Sequence, residues 1–188
     1  SPGVDPASPA GQGRVDVALD VTDRRQAEKR LMFLAYHDAL TGLGNRTLFL
    51  DRFAALIGGH GSGGDSPSRW ALVAIGLDRF SIINGTLGHA MGDRVLVAVA
   101  HRLREPLGGH ELLCRTGGDR FMMLLTDCDT DAALHLALND LLAKFQRPLE
   151  VGGHQFDLSI SLGVSLFPDH GQDAETLIMH ADAALHEA

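Results

Sequence analysis

Residues 115–125 read RTGGDRFMMLL: a base, a threonine, two glycines, an acid, a second base, then an unbroken run of large apolar side chains. Adjacent glycines accept the positive φ that a tight hairpin turn demands, and the apolar run that follows has strand length. Two antiparallel strands joined at Gly117-Gly118 are therefore expected, with Asp119 and Arg120 at the mouth of the turn. A fixed cation directly after an acid is the feature to be explained. It separates an enzyme from a domain that only holds a ligand.

Working outward, ALVAIGL at 71–77 is a continuous apolar run, as in a strand covered on both faces. Residues 156–166 alternate apolar and small or polar side chains and read as one half-buried antiparallel strand. Helical spacing places Leu96, Val99, Ala100, Leu103 and Leu107 on one face of a helix over 89–107. It also turns Leu134, Ala137, Leu138, Leu141 and Leu142 inward on a helix from Thr130, and Leu177, Ile178, Ala181 and Leu185 inward on a last helix from Asp173. A further helix is expected over 46–57, followed by a glycine- and serine-rich loop. Together these elements predict an α/β fold with a central, mostly antiparallel sheet flanked by helices and the GGDRF turn on a β-hairpin. Upstream, residues 1–14 are rich in Pro, Gly, Ser and Ala and read as a disordered tail. The stretch 15–36 alternates briefly, then becomes a helix capped by Thr22 with Ala27, Leu31, Leu34 and Ala35 on a narrow stripe. Such a stripe suits a connector helix that pairs with another helix.

With 188 residues and 45% hydrophobic content, the chain can bury one substantial core. Its formal net charge of -8 argues against nucleic acid as a partner, because that binding depends on phosphate neutralisation by Lys and Arg. A small anion in a local site is compatible with it. Cys114 and Cys128 form neither a disulfide framework nor a CxxC metal site and read as buried thiols, in keeping with a cytoplasmic location. No apolar run has bilayer-spanning length, so no membrane contact is expected of these residues. The ten histidines lack an HExxH arrangement and read as surface or capping residues.

Five segments, HDALTGLGNR (37–46), LDRFSIINGTLGHAMGD (77–93), RTGGDRF (115–121), SISLGVSLFP (159–168) and ADAAL (181–185), resemble in order and spacing the GGDEF domains that act as diguanylate cyclases. DVTDRRQAE ahead of them resembles the exit of a PAS sensor domain. The resemblance implies a nucleotidyl-cyclase or polymerase-palm-like fold over 37–188. It also implies condensation of two GTP into cyclic di-GMP across a dimer, and covalently linked PAS and output domains, the latter of the EAL phosphodiesterase type. For binding, it implies backbone contacts to phosphate at Arg79 and Phe80 after Asp78, guanine reading by Asn84 and Asp93, and a turn at Gly117 and Gly118 lying against the nucleotide.

For catalysis the family requires two Mg²⁺ ions held by carboxylates from the end of a strand and from the hairpin. Here Gly76 stands where the strand's first acid is expected, and Arg120 replaces the second acid of the hairpin. Of the signature Gly117, Gly118, Asp119, Arg120 and Phe121, only Asp119 offers a carboxylate, an incomplete metal site. Two unit charges about 4 Å apart interact by ~4 kcal/mol at an effective dielectric near 20, so a cation in place of an anion removes an attraction and adds a repulsion. Ser81, Gly85 and His186 also depart from the family's Lys, Asp and aromatic residue. The RxxD feedback motif is missing from Gly108-Gly109-His110-Glu111.

These substitutions predict a domain without cyclase activity, in which Arg120 reaches the phosphate of GTP or a related guanine nucleotide in place of metal, or is a solvated side chain in a dimerising or relay module. The alternatives are an active cyclase using Asp119, Asp78 and backbone carbonyls with Mg²⁺, and a pure helix-mediated interaction module. Asp38 and Arg46 are expected to form a structural salt bridge.

Overall fold

A computed structural model describes residues 13–59, 69–106, 110–126 and 128–188. The chain divides into two compact units, Ser1–Ala35 and Tyr36–Ala188. Helix α1 spans Gly13–Tyr36. The stretch read as alternating before a Thr22 cap is thus helical: once the helix begins at Gly13, Thr22 lies in its interior and cannot cap it. The expected tail lies outside the described residues except for Gly13 and Arg14, and so does the loop at 60–68.

The second unit is built on a four-stranded antiparallel sheet of order β2-β3-β1-β6. Its strands are β1 (Trp70–Leu77), β2 (His110–Gly117), β3 (Arg120–Leu125) and β6 (Ile160–Phe167). The helices are α2 (Arg46–Gly59), α3 (Phe80–Leu87), α4 (His89–Arg104), α5 (Asp131–Lys144) and α6 (Ala174–Glu187). A small hairpin of β4 (Leu149–Val151) and β5 (His154–Phe156) completes the order. The expected fold class is the one observed. No helix among the described residues is long and apolar enough to cross a membrane.

β1 is central and apolar because both of its faces are covered. Ala71, Val73, Ile75 and Leu77 point into one core with Val95, Leu96, Val99 and Leu103 of α4 and Leu134 and Leu141 of α5. Trp70, Leu72 and Ala74 point into the other with Phe49 and Phe53 of α2 and Leu177, Ile178, Ala181 and Leu185 of α6. The Trp70 and Phe167 rings stack at 4.8 Å, and Phe53 meets Trp70 edge-on. Burying each such side chain contributes roughly 1.5–3 kcal/mol, which anchors α2 and with it Arg46 beside the hairpin.

The single strand expected over 156–166 is two. β5 ends at Phe156 and β6 begins at Ile160, and β6 is covered on both faces rather than one. Its small residues form the dock for α6. A Cβ on Gly163 would lie 2.0 Å from the Ala181 carbonyl oxygen and 2.3 Å from the Leu185 nitrogen, so only glycine lets the helix backbone rest on the strand. Ser165 Oγ donates to the Leu177 carbonyl at 2.7 Å, fixing the helix along that contact. The helices read from about Thr130 and about Asp173 begin one residue later, with Thr130 and Asp173 as their N-caps, each side chain accepting a backbone N–H of the first turn. Helix α4 ends at Arg104, and Leu142 is partly exposed rather than inward.

Candidate functional site

The Gly117-Gly118 turn exists as the sequence implies, with φ of 137° and 54°. What holds it is Arg115. Its Nε and Nη2 donate to the Gly118 carbonyl at 3.1 and 2.7 Å, while Nη1 reaches both oxygens of Asp38 at 3.0 and 2.9 Å. Asp38 also accepts from the Thr41 backbone N–H at 2.8 Å and from its hydroxyl at 2.7 Å. Burial alone would raise the Asp38 carboxyl, but the bonds from Thr41 and Arg115 outweigh it and hold its pKa below the ordinary range. The expected Asp38–Arg46 pair is therefore corrected: the partner is Arg115, brought to Asp38 by the backbone bond from the Arg115 N–H to the Gly44 carbonyl. Beneath the turn, Cys114 is buried and its thiol is pushed up to about 12 by desolvation, which makes it unreactive. Cys128 is buried as well.

Register decides which side chains share the end of the sheet. Gly76 lies directly opposite Arg120 on β3 and Ser161 on β6, and the position of its absent side chain faces Leu185 of α6. Arg120 extends over the same face, where Nη1 lies 4.0 Å from Asp182 Oδ1 of α6. Asp78 does not cap α3. Its carboxylate accepts from Ser159 Oγ at 2.6 Å and Ser161 Oγ at 2.8 Å, two partners the sequence did not disclose. The Asp119 carbonyl accepts from the Leu77 N–H at 3.3 Å, which brings the turn to the end of β1. A paired-magnesium site fits these residues poorly. Gly76 provides no ligand, Arg120 brings positive charge, and Asp119 is the one carboxylate of the hairpin. Among the described residues no three His, Cys, Asp or Glu side chains are grouped to hold a metal ion.

Between β1 and α3, Arg79 adopts the left-handed conformation with φ 57° and ψ 23°, unique among non-glycine residues described. That conformation costs roughly 1–2 kcal/mol and lets the chain pass from strand to helix across Asp78-Arg79 alone. No side chain caps α3, so its first-turn N–H groups, starting at Phe80, are not met by a cap side chain. Asn84, midway along α3, packs against Gly92 of α4. A Cβ there would fall 1.9 Å from Asn84 Oδ1, and that oxygen is buried without a hydrogen-bond partner. Asp93, next to Gly92, is exposed.

The candidate residues thus divide among three places: Asn84 and Asp93 on the α3–α4 pair, Asp78 and Arg79 in a cleft of about 300 Å³ with residues 155–159, and Gly117 and Arg120 in a cleft of about 620 Å³ against α6. The feedback motif position lies outside the described residues at 108 and 109. Arg115, Ser159, Ser161, Asp182 and Arg46 were not read as site residues. Arg115 precedes the turn by two positions, and that short spacing was the one available signal.

The family model "Diguanylate cyclase, GGDEF domain" matches residues 35–188, and the chain belongs to that family. A solved sensory box/GGDEF family protein from Caulobacter crescentus superposes with a TM-score of 0.73 at 36% identity, covering 81% of this chain and 97% of that one. Cyclic di-GMP phosphodiesterase PdeR of Escherichia coli is 31% identical over 95% of this chain and 27% of its own length. The bifunctional diguanylate cyclase/cyclic di-GMP phosphodiesterase MucR of Pseudomonas aeruginosa is 34% identical over 89% of this chain and 24% of its own. The chain spans about a quarter of each of these two curated relatives.

Proposed function

We propose that this GGDEF domain binds a guanine nucleotide without condensing it, and serves cyclic di-GMP signalling as a regulatory domain. The observation that carries the reading is the cross-strand pair Gly76 and Arg120, which sets an absent side chain and a guanidinium where paired metal ions need carboxylates. In their place Arg120 offers a planar fork of donors suited to phosphate. The uncapped start of α3 and the unpartnered Asn84 oxygen support a nucleotide with its phosphates toward Arg79-Phe80 and its base toward Asn84 and Asp93. In the whole protein, the regulated partner is a covalently linked phosphodiesterase domain, a reading supported by what PdeR and MucR are named for. The PAS-like 15–36 segment would bring the input.

Calorimetry with GTP in EDTA should give binding, while GTP with Mg²⁺ should yield no cyclic di-GMP. A product rate abolished by Asp119→Ala would reverse the assignment. The Gly76→Asp/Arg120→Glu double variant should gain Mg²⁺-dependent thermal stabilisation that the natural chain lacks. A Cβ at Gly76 meets Leu185 at an ordinary 3.5 Å, so the acid is accommodated.

A further inference from the structure

We infer that Lys144 is an acylation site, its amine taking the acyl group of a small acyl phosphate seated in the cleft between the C-terminal ends of α4 and α5. The site stands apart from the nucleotide reading and shares no residue with it. Arg102, Glu105, Asp140, Ala143, Lys144 and Arg147 line this cleft. Its volume of about 280 Å³ falls just under the range of drug-sized ligand sites, which suits a molecule smaller than a nucleotide.

Lys144 Nζ donates to the Glu105 carbonyl oxygen at 2.5 Å, and among the described residues no carboxylate lies within ion-pair distance of it. A neutral amine keeps such a bond while its lone pair stays free for attack. Burial lowers the pKa of the half-buried Lys144 ammonium below the ordinary lysine value; the Glu105 and Asp140 carboxylates pull it upward, and desolvation outweighs them. Of the sixteen Lys and Arg residues only Lys29 and Lys144 are lysines. Arginine stays protonated, so Lys144 is the one cation of this cleft able to become a nucleophile.

The guanidiniums supply a place for the phosphate. Arg102 is held in position: Nη1 donates to the Arg147 carbonyl at 2.6 Å, Nη2 donates to the Pro148 carbonyl at 2.9 Å, and its Cζ lies 5.9 Å from the Phe145 ring centroid. A guanidinium has N–H donors beyond these two bonds, and they remain for a ligand. Arg147 is exposed, and among the described residues no carboxylate lies within ion-pair distance of it. While Lys144 is protonated, three cations face Glu105 and Asp140, so the cleft attracts an anion. Once the amine is neutral, its nitrogen attacks the acyl carbon, and the bond from that carbon to the phosphate oxygen breaks. The proton lost by the nitrogen leaves on the phosphate as hydrogen phosphate. The amide that forms is uncharged, so two guanidiniums are then balanced by two carboxylates, and the acyl group crowds the tie from Lys144 to Glu105, the C-cap of α4.

The test is acetylation of the whole chain by acetyl phosphate, with Lys29 and Lys144 followed separately by peptide mass spectrometry. Lys29, exposed on α1, is the internal reference. Lys144 should react at least about three-fold faster than Lys29 although it is the less exposed of the two. Arg147→Gln should lower that ratio about two-fold or more. With p-nitrophenyl acetate, an uncharged donor that has no phosphate to seat, the same substitution should leave the ratio unchanged. Sodium phosphate at constant ionic strength should slow Lys144 and spare Lys29. Melting temperatures establish that the variant is folded, and should Arg147→Gln be unstable, the phosphate competition carries the test. A smaller ratio in the natural chain overturns the site. So does a ratio that Arg147→Gln leaves alone with acetyl phosphate or lowers equally with both donors, and so does phosphate that fails to slow Lys144 selectively.

Discussion

Asp38 shows how much one carboxylate can hold in this domain. Its folded pKa lies below the unfolded value because Thr41 and Arg115 bind the charged form. The stabilisation is therefore complete above the unfolded pKa, about 3.9, and is lost as pH falls through the folded value. Melting temperature followed from pH 6 down to pH 2.5 should drop more steeply in the natural chain than in Asp38→Asn, the two curves converging at the acid end. Parallel curves would mean that the pair adds nothing. The identity of this pair was not legible, since 77 positions separate Asp38 from Arg115 and the nearer Arg46 offered the same charge. The glycine turn, by contrast, could be read directly, because a φ of 54° at Gly118 is a local demand that residue type reveals. Gly76 and Arg120 were also identifiable as departures by position alone, although Asp182 as the partner of Arg120 required the fold.

At the scale of elements, the contact between β6 and α6 sets the geometry of the 620 Å³ cleft, since it places Asp182 and His186. Gly163→Ala would put a methyl group 2.0 Å from the Ala181 carbonyl oxygen. The cost should reach or exceed the ~1–3 kcal/mol typical of overpacking, measured by urea unfolding. Unchanged stability would show that the helix docks elsewhere. Alternation over 156–166 hid this contact. A helix whose backbone rests on glycine and whose carbonyl is held by Ser165 needs no large apolar side chain beneath it, so the buried face looked polar. The helices α5 and α6 and the uninterrupted β1 were legible because their signals, apolar residues at helical spacing and a continuous apolar run, are written along single stretches of the chain.

On the scale of the molecule, α1 carries Leu31, Met32, Phe33 and Leu34 exposed by 42–70%. Apolar side chains in succession on a charged helix favour pairing with a second copy, so the whole chain should sediment as a dimer and a chain lacking residues 1–35 as a monomer. Equal sedimentation of both would place any dimer contact in the second unit. Within that unit, the fork of Arg115 has a mechanical consequence. One side chain grips Asp38 with one arm and the Gly118 carbonyl with the others, so it acts as a rein between the start of the domain and the tip of its signature turn. A pull on residues 38–43 must either drag that tip along or let go of it, and slack at one end cannot arise while the other stays taut.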